Sequence, residues 1–488
     1  MKINTLYQIN RSAKIARNKV RRIVKKQIKV RAKRGKFLTR RLLNDKLNGD
    51  YSYDNIVRTY LSKDLQYLIY NPQSFASADA IYKSLKGIKS STMLVPENFS
   101  IIDNPKESYS FIRELVARLI YQPTSEIVID YENCSNIDLA SQVLIDIIQK
   151  DVISFYKICS KSKRTKRVVH IKSIRGFSGK RNGDIDKMLF SVGSPVLLSN
   201  RSKIYSDIVP YRLCVHSRNH NEMIRVMEKK EIHTTELVDY VINSLGKLNR
   251  TLTPDKIDDL CTVIGEILIN AEEHSTIGRR FSIGYFQEDN INGKHCGIFR
   301  LVILNFGQTI YEKFKDPACK NRGMVSRMKA LSYRYTVDKL FSKKLFEEET
   351  LWTLYALQEG VTSIAPKDYK RRGNGSIRFI ESFFNMKGKH NDQDDVSKMV
   401  ILSGNASITF DGTYGIVEDD SGKEQFKKMT FNRSGKIEDK PDDRFVKFAE
   451  DYFPGTIIGA RILFNEDDTE VLASVATTCN DSGQTNEN

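Results

Sequence analysis

The stretch from Asp258 to His274, DDLCTVIGEILINAEEH, constrains the fold most. Leu260, Val263, Ile264, Ile267, Leu268 and Ala271 recur at the period of an α-helix and make one apolar stripe. Glu266, Asn270 and His274 follow at four-residue spacing, so they line a second stripe beside the first and face one neighbouring cleft. Asp258 or Asp259 favours the helix start. A carboxylate stacked over a carboxamide can do chemistry: the Asn oxygen suits Mg²⁺, and a Glu one turn earlier can orient or deprotonate a water. The same stripe also fits the polar boundary of an ordinary amphipathic helix, and the helix alone leaves both readings open.

Three further segments bear on the choice. A strand at Gly297–Leu304 ends in Asn305-Phe306-Gly307-Gln308-Thr309. Later, Tyr369-Lys370-Arg371-Arg372-Gly373-Asn374-Gly375-Ser376 leads into an apolar helix, Ile377–Phe384. A glycine-rich turn feeding a helix N-terminus offers backbone N–H groups to a phosphate, and the three basic residues add charge there. Last, Phe453-Pro454-Gly455-Thr456 opens a strand at Ile457–Phe464.

Taken in this order, the segments resemble the GHKL ATP-binding fold of gyrases, heat-shock chaperones, histidine kinases and mismatch-repair proteins. EILINAEEHS is similar to the N box, NFGQT to the G1 box, RRGNGS to the G2 box and PGTIIGARI to the closing Gly-Thr strand. LYALQEGVTS resembles the helix and lid region before the G2 box. The resemblance covers about 225–465. It implies ATP and Mg²⁺ as cofactors, with Asn270 as metal ligand and Glu266 as the catalytic group that positions the attacking water or hydroxyl. His274 would lie near the phosphates, although a packed boundary histidine fits it equally. Gly373 and Gly375 would let the lid backbone close over the phosphates, where Arg372 adds positive charge, Gly307 of the G1 box would be a further nucleotide-binding position, and Thr456 would bond near the adenine. Two positions depart from the family pattern. Asn305 stands where the family has an aspartate that accepts the adenine amino proton, and Thr309 replaces the second G1 glycine.

The middle of the chain reads as α/β. A helix at Ser108–Leu119, a strand at Glu126–Asp130, a helix at Asp138–Gln149 and a strand at Val168–Ile171 are expected, with a glycine-marked loop at Gly176–Asp184. IVIDYENCSNIDLASQVLIDII resembles the STAS domain of anti-anti-sigma factors. In that family the turn carries a phosphorylated Ser after Asp. Here Leu139 follows Asp138, with Ser141 two positions later, so the resemblance implies a docking module for a protein partner without its phosphosite.

Charge is concentrated at one end. Residues 1–41 hold 16 Lys/Arg and no acid, while the whole chain carries +18. Apolar residues at Ala16, Val20, Ile23, Val24 and Ile28 give that arm helical spacing. Residues 11–41 could lie on nucleic acid, on an acidic membrane or partner, or serve only as a solubilising arm. Tyr51, Tyr53, Tyr60, Tyr67 and Tyr70 are expected as core. Seven scattered cysteines without a CxxC pair argue for reduced thiols in a cytoplasm, against a disulfide frame or zinc site. No apolar run reaches the ~20 residues of a membrane span. His233, in EIHTTEL, lacks the surroundings of a phospho-accepting histidine and reads as structural.

The expected architecture is α/β: a basic helical arm (1–50), a helical segment (51–95), a STAS-like α/β domain (96–215), a GHKL two-layer α+β sandwich (225–466) and an acidic tail (467–488). The GHKL sheet should be mixed or antiparallel with helices on one face. Three functions compete. One is an ATP-driven switch that controls a protein or nucleic-acid interaction, with slow hydrolysis. The others are a protein kinase of the anti-sigma-factor type and a non-enzymatic nucleic-acid binder. A dimer is compatible with each.

Overall fold

The computed structural model describes residues 53–71, 77–88, 90–122, 126–161, 173–177, 183–194, 205–217, 223–275, 278–291, 293–337, 344–363, 375–387, 397–419, 426–466 and 468–472. The basic arm, the acidic tail beyond residue 472 and the segment holding Arg372 and Gly373 lie outside them; the start of the expected tail is a strand, Thr469–Val471, paired with Arg250–Leu252. The chain divides into two compact units, Met1–Leu61 with Ile153–Ile171, and Ser62–Val152 with Lys172–Asn488. In the first, α1 (Tyr53–Tyr60) buries Ile56 and Val57, and the rings of Phe155 and Tyr156 pack 5.6 Å apart.

The second unit begins with α2 (Lys63–Tyr70) and α3 (Ala78–Leu85). Each starts at a serine, Ser62 or Ser77, whose hydroxyl accepts a backbone N–H three residues on, a bond that satisfies one of the helix's open donors. There follow β1 (Thr92–Leu94), β2 (Asn98–Phe99), α4 (Pro105–Tyr121), β3 (Glu126–Asp130), β4 (Asn136–Ile137), α5 (Leu139–Ser160, whose residues from Ile153 on belong to the first unit), β5 (Ser173–Phe177) and α6 (Gly183–Ser191). Strands β1, β3 and β5 form a parallel sheet in that order, and β2 pairs with β4. The strand expected at Val168–Ile171 lies outside the described residues. Strand β5 instead runs into the segment its glycines marked as loop: Gly176 pairs with Ile129, because pairing with β3 satisfies a glycine's backbone as well as any other. Asp138 precedes α5 and accepts from Ser141 N at 2.5 Å and from Ser100 Oγ at 2.6 Å. Ser141 is fully buried, and its hydroxyl accepts from Ile101 N at 2.8 Å.

The remaining elements are β6 (Ile208–Ser217), α7 (Met223–Gly246), β7 (Arg250–Leu252), α8 (Pro254–His274), β8 (Arg279–Ile291), β9 (Lys294–Phe306), α9 (Ile310–Lys315), α10 (Arg322–Thr336), α11 (Glu348–Ala356), α12 (Gly375–Lys387), β10 (Lys398–Phe410), β11 (Val417–Asp419), β12 (Phe426–Lys428), β13 (Val446–Phe464) and β14 (Thr469–Val471). Five strands make one sheet in the order β10-β13-β9-β8-β6, and every pairing is antiparallel. The fold is thus mixed α/β. Its edge strand β6 comes largely from residues assigned by sequence to the preceding module, since pairing with β8 outweighs sequence proximity.

Alternation along the strands sends Phe299, Leu301 and Ile303 of β9, with Ile458, Ala460 and Ile462 of β13, to one face, where they join one core with α8 and α12. The other face is not bare, as a one-sided sandwich would require. There Phe306 packs on Phe453, Phe453 packs on Tyr109 of α4, and Arg113 pairs with Asp451 at 2.8 Å.

Candidate functional site

Helix α8 begins at Pro254, whose missing N–H costs nothing at a first helical position, with Asp255 in its first turn. All six residues that set its apolar period are buried. Each of the five Leu, Ile and Val side chains contributes ~1.5–3 kcal/mol, which fixes the rotation of the helix. Glu266 and Asn270 are thereby left half-buried at the edge of the contact. His274 is the last residue of the helix.

Strands β9 and β13 bring the expected base-side residues together, with Asn305 directly opposite Thr456. Gly455, next to Thr456, has φ +151°, and a Cβ there would run into the Asn305 carbonyl oxygen, so only glycine fits. Gly307 has φ +141° and donates its N–H to the Pro454 carbonyl at 3.0 Å. Asn305 is fully buried: Nδ2 donates to the Ala271 carbonyl and Oδ1 accepts from Thr456 N at 3.2 Å. Its amide ties α8, β9 and β13 together. An aspartate could accept from Thr456 but could not donate to Ala271, which accounts for the asparagine.

Beside this junction lies a small, partly open cavity. Asn270, Ser376 and Thr456 supply its polar wall, and Ile310, Leu357 and Phe379 are among its apolar lining. Its volume is about 20 Å³, room for a water or two. Asn305 is not among the lining residues. The Thr456 hydroxyl lies 2.9 Å from Ser403 Oγ, which accepts from Ile310 N at 3.0 Å and donates to the Gly455 carbonyl at 3.1 Å. Ser403 has a single proton, so with that proton on Gly455 the Thr456 hydroxyl must be the donor between the two.

Gly375 opens α12, and a Cβ on it would overlap the Glu266 carboxylate. The carboxylate therefore sits against the positive end of that helix, a favourable place for an anion. Thr309, where the resembled pattern has glycine, caps α9: its hydroxyl accepts from Glu312 N, and the Glu312 carboxylate accepts from Thr309 N at 2.9 Å.

The structure also assembles residues that the sequence reading left apart. Glu349 on α11 accepts the N–H of Asn405 at 2.9 Å, under a bulge in β10 where Gly404 has φ +61°. Burial foremost, then Glu312 and Glu347, push its carboxyl up to about 7. Cys214 and His216 of β6 meet His233 of α7, with one donor atom of each within 4.8 Å of the others. His233 is buried and held neutral, its pKa lowered to about 3 by burial, His216 and Arg280. Serine and glutamate at such positions carry no sequence signal of their own, since the contacts join segments tens of residues apart.

No family model, curated protein or solved structure matches this chain. Among the described residues, no helix is long and apolar enough to cross a membrane.

Proposed function

We propose that this chain is an ATP-binding regulatory protein of the GHKL class, in which Mg-ATP drives an ordering switch that controls a protein or nucleic-acid interaction. The observation that carries the reading is the cavity: Asn270 of α8, Ser376 of α12 and Thr456 of β13, from three separated segments, share one wall. Glu266 and the start of α12 adjoin one another on the same helix pair. On this reading Asn270 supplies an oxygen to Mg²⁺, Glu266 orients a water, and Thr456 accepts from the base. Two features set terms on the reaction. A purine enters only when the apolar lining, including Leu357 and Phe379, parts, because the cavity as it stands has room for only a water or two. A triphosphate and the Glu266 carboxylate would compete for the same helix start, so a metal ion between them is required to offset their repulsion.

The test is calorimetric titration of the full chain with ATP, with and without Mg²⁺, beside Asn270→Ala. Mg²⁺-dependent binding that Asn270→Ala weakens at least tenfold is expected. No binding at millimolar nucleotide by a folded chain removes the proposal. ATP turnover lost in Glu266→Ala, with binding kept, assigns hydrolysis to that carboxylate.

A further inference from the structure

We propose that Cys214, His216 and His233 form a binding site for a soft transition-metal ion that accepts a thiolate, zinc or copper(I), separate from the cavity beside Thr456. The chemistry of the donors selects the ion: one thiol and two imidazoles are the set that soft and borderline metals prefer over magnesium or calcium. Cys214 and His216 alternate on β6 and so share a face, and His233 reaches them from α7. Their donor atoms already lie within 4.8 Å of one another. Ligands around a tetrahedral zinc stand ~3.3–3.8 Å apart, given bonds of about 2.0–2.3 Å, so a closure of roughly 1 Å completes the set.

Two features of the surroundings define how the site must load. The rings of His216 and His233 stack, centroids 4.0 Å apart at 26°, so their in-plane lone pairs run side by side. Turning the half-buried His216 ring on the edge strand makes them converge. Arg280 sits 3.1 Å from His233 Nδ1 and can only donate, so Nδ1 accepts and the ring proton is on Nε2, toward Tyr211 OH at 3.0 Å and Ser282 Oγ at 3.2 Å. Tyr211 OH also lies 3.6 Å from Cys214 Sγ, which places Nε2 on the thiol side. Binding at Nε2 therefore releases the thiol proton, moves the imidazole proton from Nε2 to Nδ1 and turns Arg280 away. The guanidinium opposes a dication more than a monocation. Copper(I), whose single charge the thiolate cancels, meets the smaller penalty.

The full chain, reduced and stripped of metal, is titrated anaerobically with Cu⁺ against a coloured chelator and with Zn²⁺ by calorimetry. Co²⁺ serves as an optical probe for a thiolate charge-transfer band. The proposal expects one high-affinity equivalent of Cu⁺ or Zn²⁺, and a cobalt–thiolate band. It expects both Cys214→Ser and His216→Ala to weaken uptake at least tenfold. These two side chains are half-buried, so the variants keep the fold, which circular dichroism verifies. Arg280→Met should tighten zinc more than copper(I). No uptake by the folded chain, or uptake unchanged in both Cys214→Ser and His216→Ala, overturns the proposal; binding through the other cysteines would give the second result.

Discussion

Asn305 and Thr456 face each other across β9 and β13, and the Asn305 side chain takes the Thr456 backbone N–H at 3.2 Å while giving its own amide proton to Ala271. One buried carboxamide thus holds the end of α8 against two strand ends. Asn305→Asp keeps the shape but turns the donor into a second acceptor aimed at a carbonyl. A buried carboxylate in that position should cost on the order of 3 kcal/mol. The introduced carboxyl would be raised by burial, so the loss should be full near neutral pH and shrink as pH falls toward 4, where it protonates in both states. Urea unfolding across that range measures both effects; an unchanged midpoint at neutral pH would show the amide donor to be dispensable.

A different outcome is expected where Gly375 meets Glu266. A methyl group on Gly375 overlaps the tip of a flexible side chain, not backbone, so the carboxylate can swing aside. Gly375→Ala should therefore cost less than ~1 kcal/mol, part of it returned by alanine's helix preference. Its effect should instead appear on whatever Glu266 does at the start of α12. The double variant with Glu266→Ala should behave as Glu266→Ala alone in nucleotide turnover, since the group that Gly375→Ala displaces is then gone. Additive losses in a double-mutant cycle would mean that the two residues act separately.

How legible this was depends on range. The rotation of α8 could be read from Leu260 to Ala271 because a six-residue apolar period leaves one way to bury it. The resemblance put Asn305 and Thr456 on one side of a nucleotide but named no strand pairing; both the pairing and its register come from the structure. What Asn305 does could not be read: its partners, Ala271 and Thr456, are 34 and 151 residues away. The cluster of Cys214, His216 and His233 escaped for the same reason, since a Cys-x-His pair becomes a candidate only when a helix brings a second imidazole to it. Gly176 and Phe177 fell in the expected loop, although they end β5, because glycine reports local freedom and says nothing of a neighbour able to pair with it.

Asp146 on α5 gives a prediction about pH. Its Oδ1 accepts from Gln142 Nε2 at 3.1 Å and from Ser194 Oγ at 3.2 Å, while Oδ2 is buried with no hydrogen-bond partner. Burial pushes the carboxyl up to about 7, against partial relief from those two bonds. The folded chain then holds a proton that the unfolded chain releases near 4, so this group's contribution to stability falls as pH rises from about 4 to about 7 and is level above. Asp146→Asn keeps the acceptor and removes the titration. It should raise the unfolding free energy measured in urea at pH 8, by on the order of 1–3 kcal/mol, and leave it nearly unchanged at pH 4. A gain equal at both pH values would mean that Asp146 is not the titrating group.

Glu349 offers the sharpest separation of charge from geometry. Its Oε1 accepts the Asn405 N–H, Gly404 above it is left-handed, and the neighbouring Ser403 positions both Ile310 N and the Thr456 hydroxyl. The carboxylate is thus the floor under a bulge whose neighbour Ser403 holds two residues of the cavity lining, Ile310 and Thr456. Glu349→Gln preserves the acceptor without the charge that burial, then Glu312 and Glu347, oppose, so it should be nearly neutral at pH 4.5 and increasingly stabilising as pH rises to 8. Glu349→Ala strands the Asn405 N–H and should cost ~1–3 kcal/mol at either pH. Amide exchange at Asn405 distinguishes the mechanism: protection should persist in Glu349→Gln and be lost in Glu349→Ala. Equal protection in both would show that the bulge is held by β13 alone.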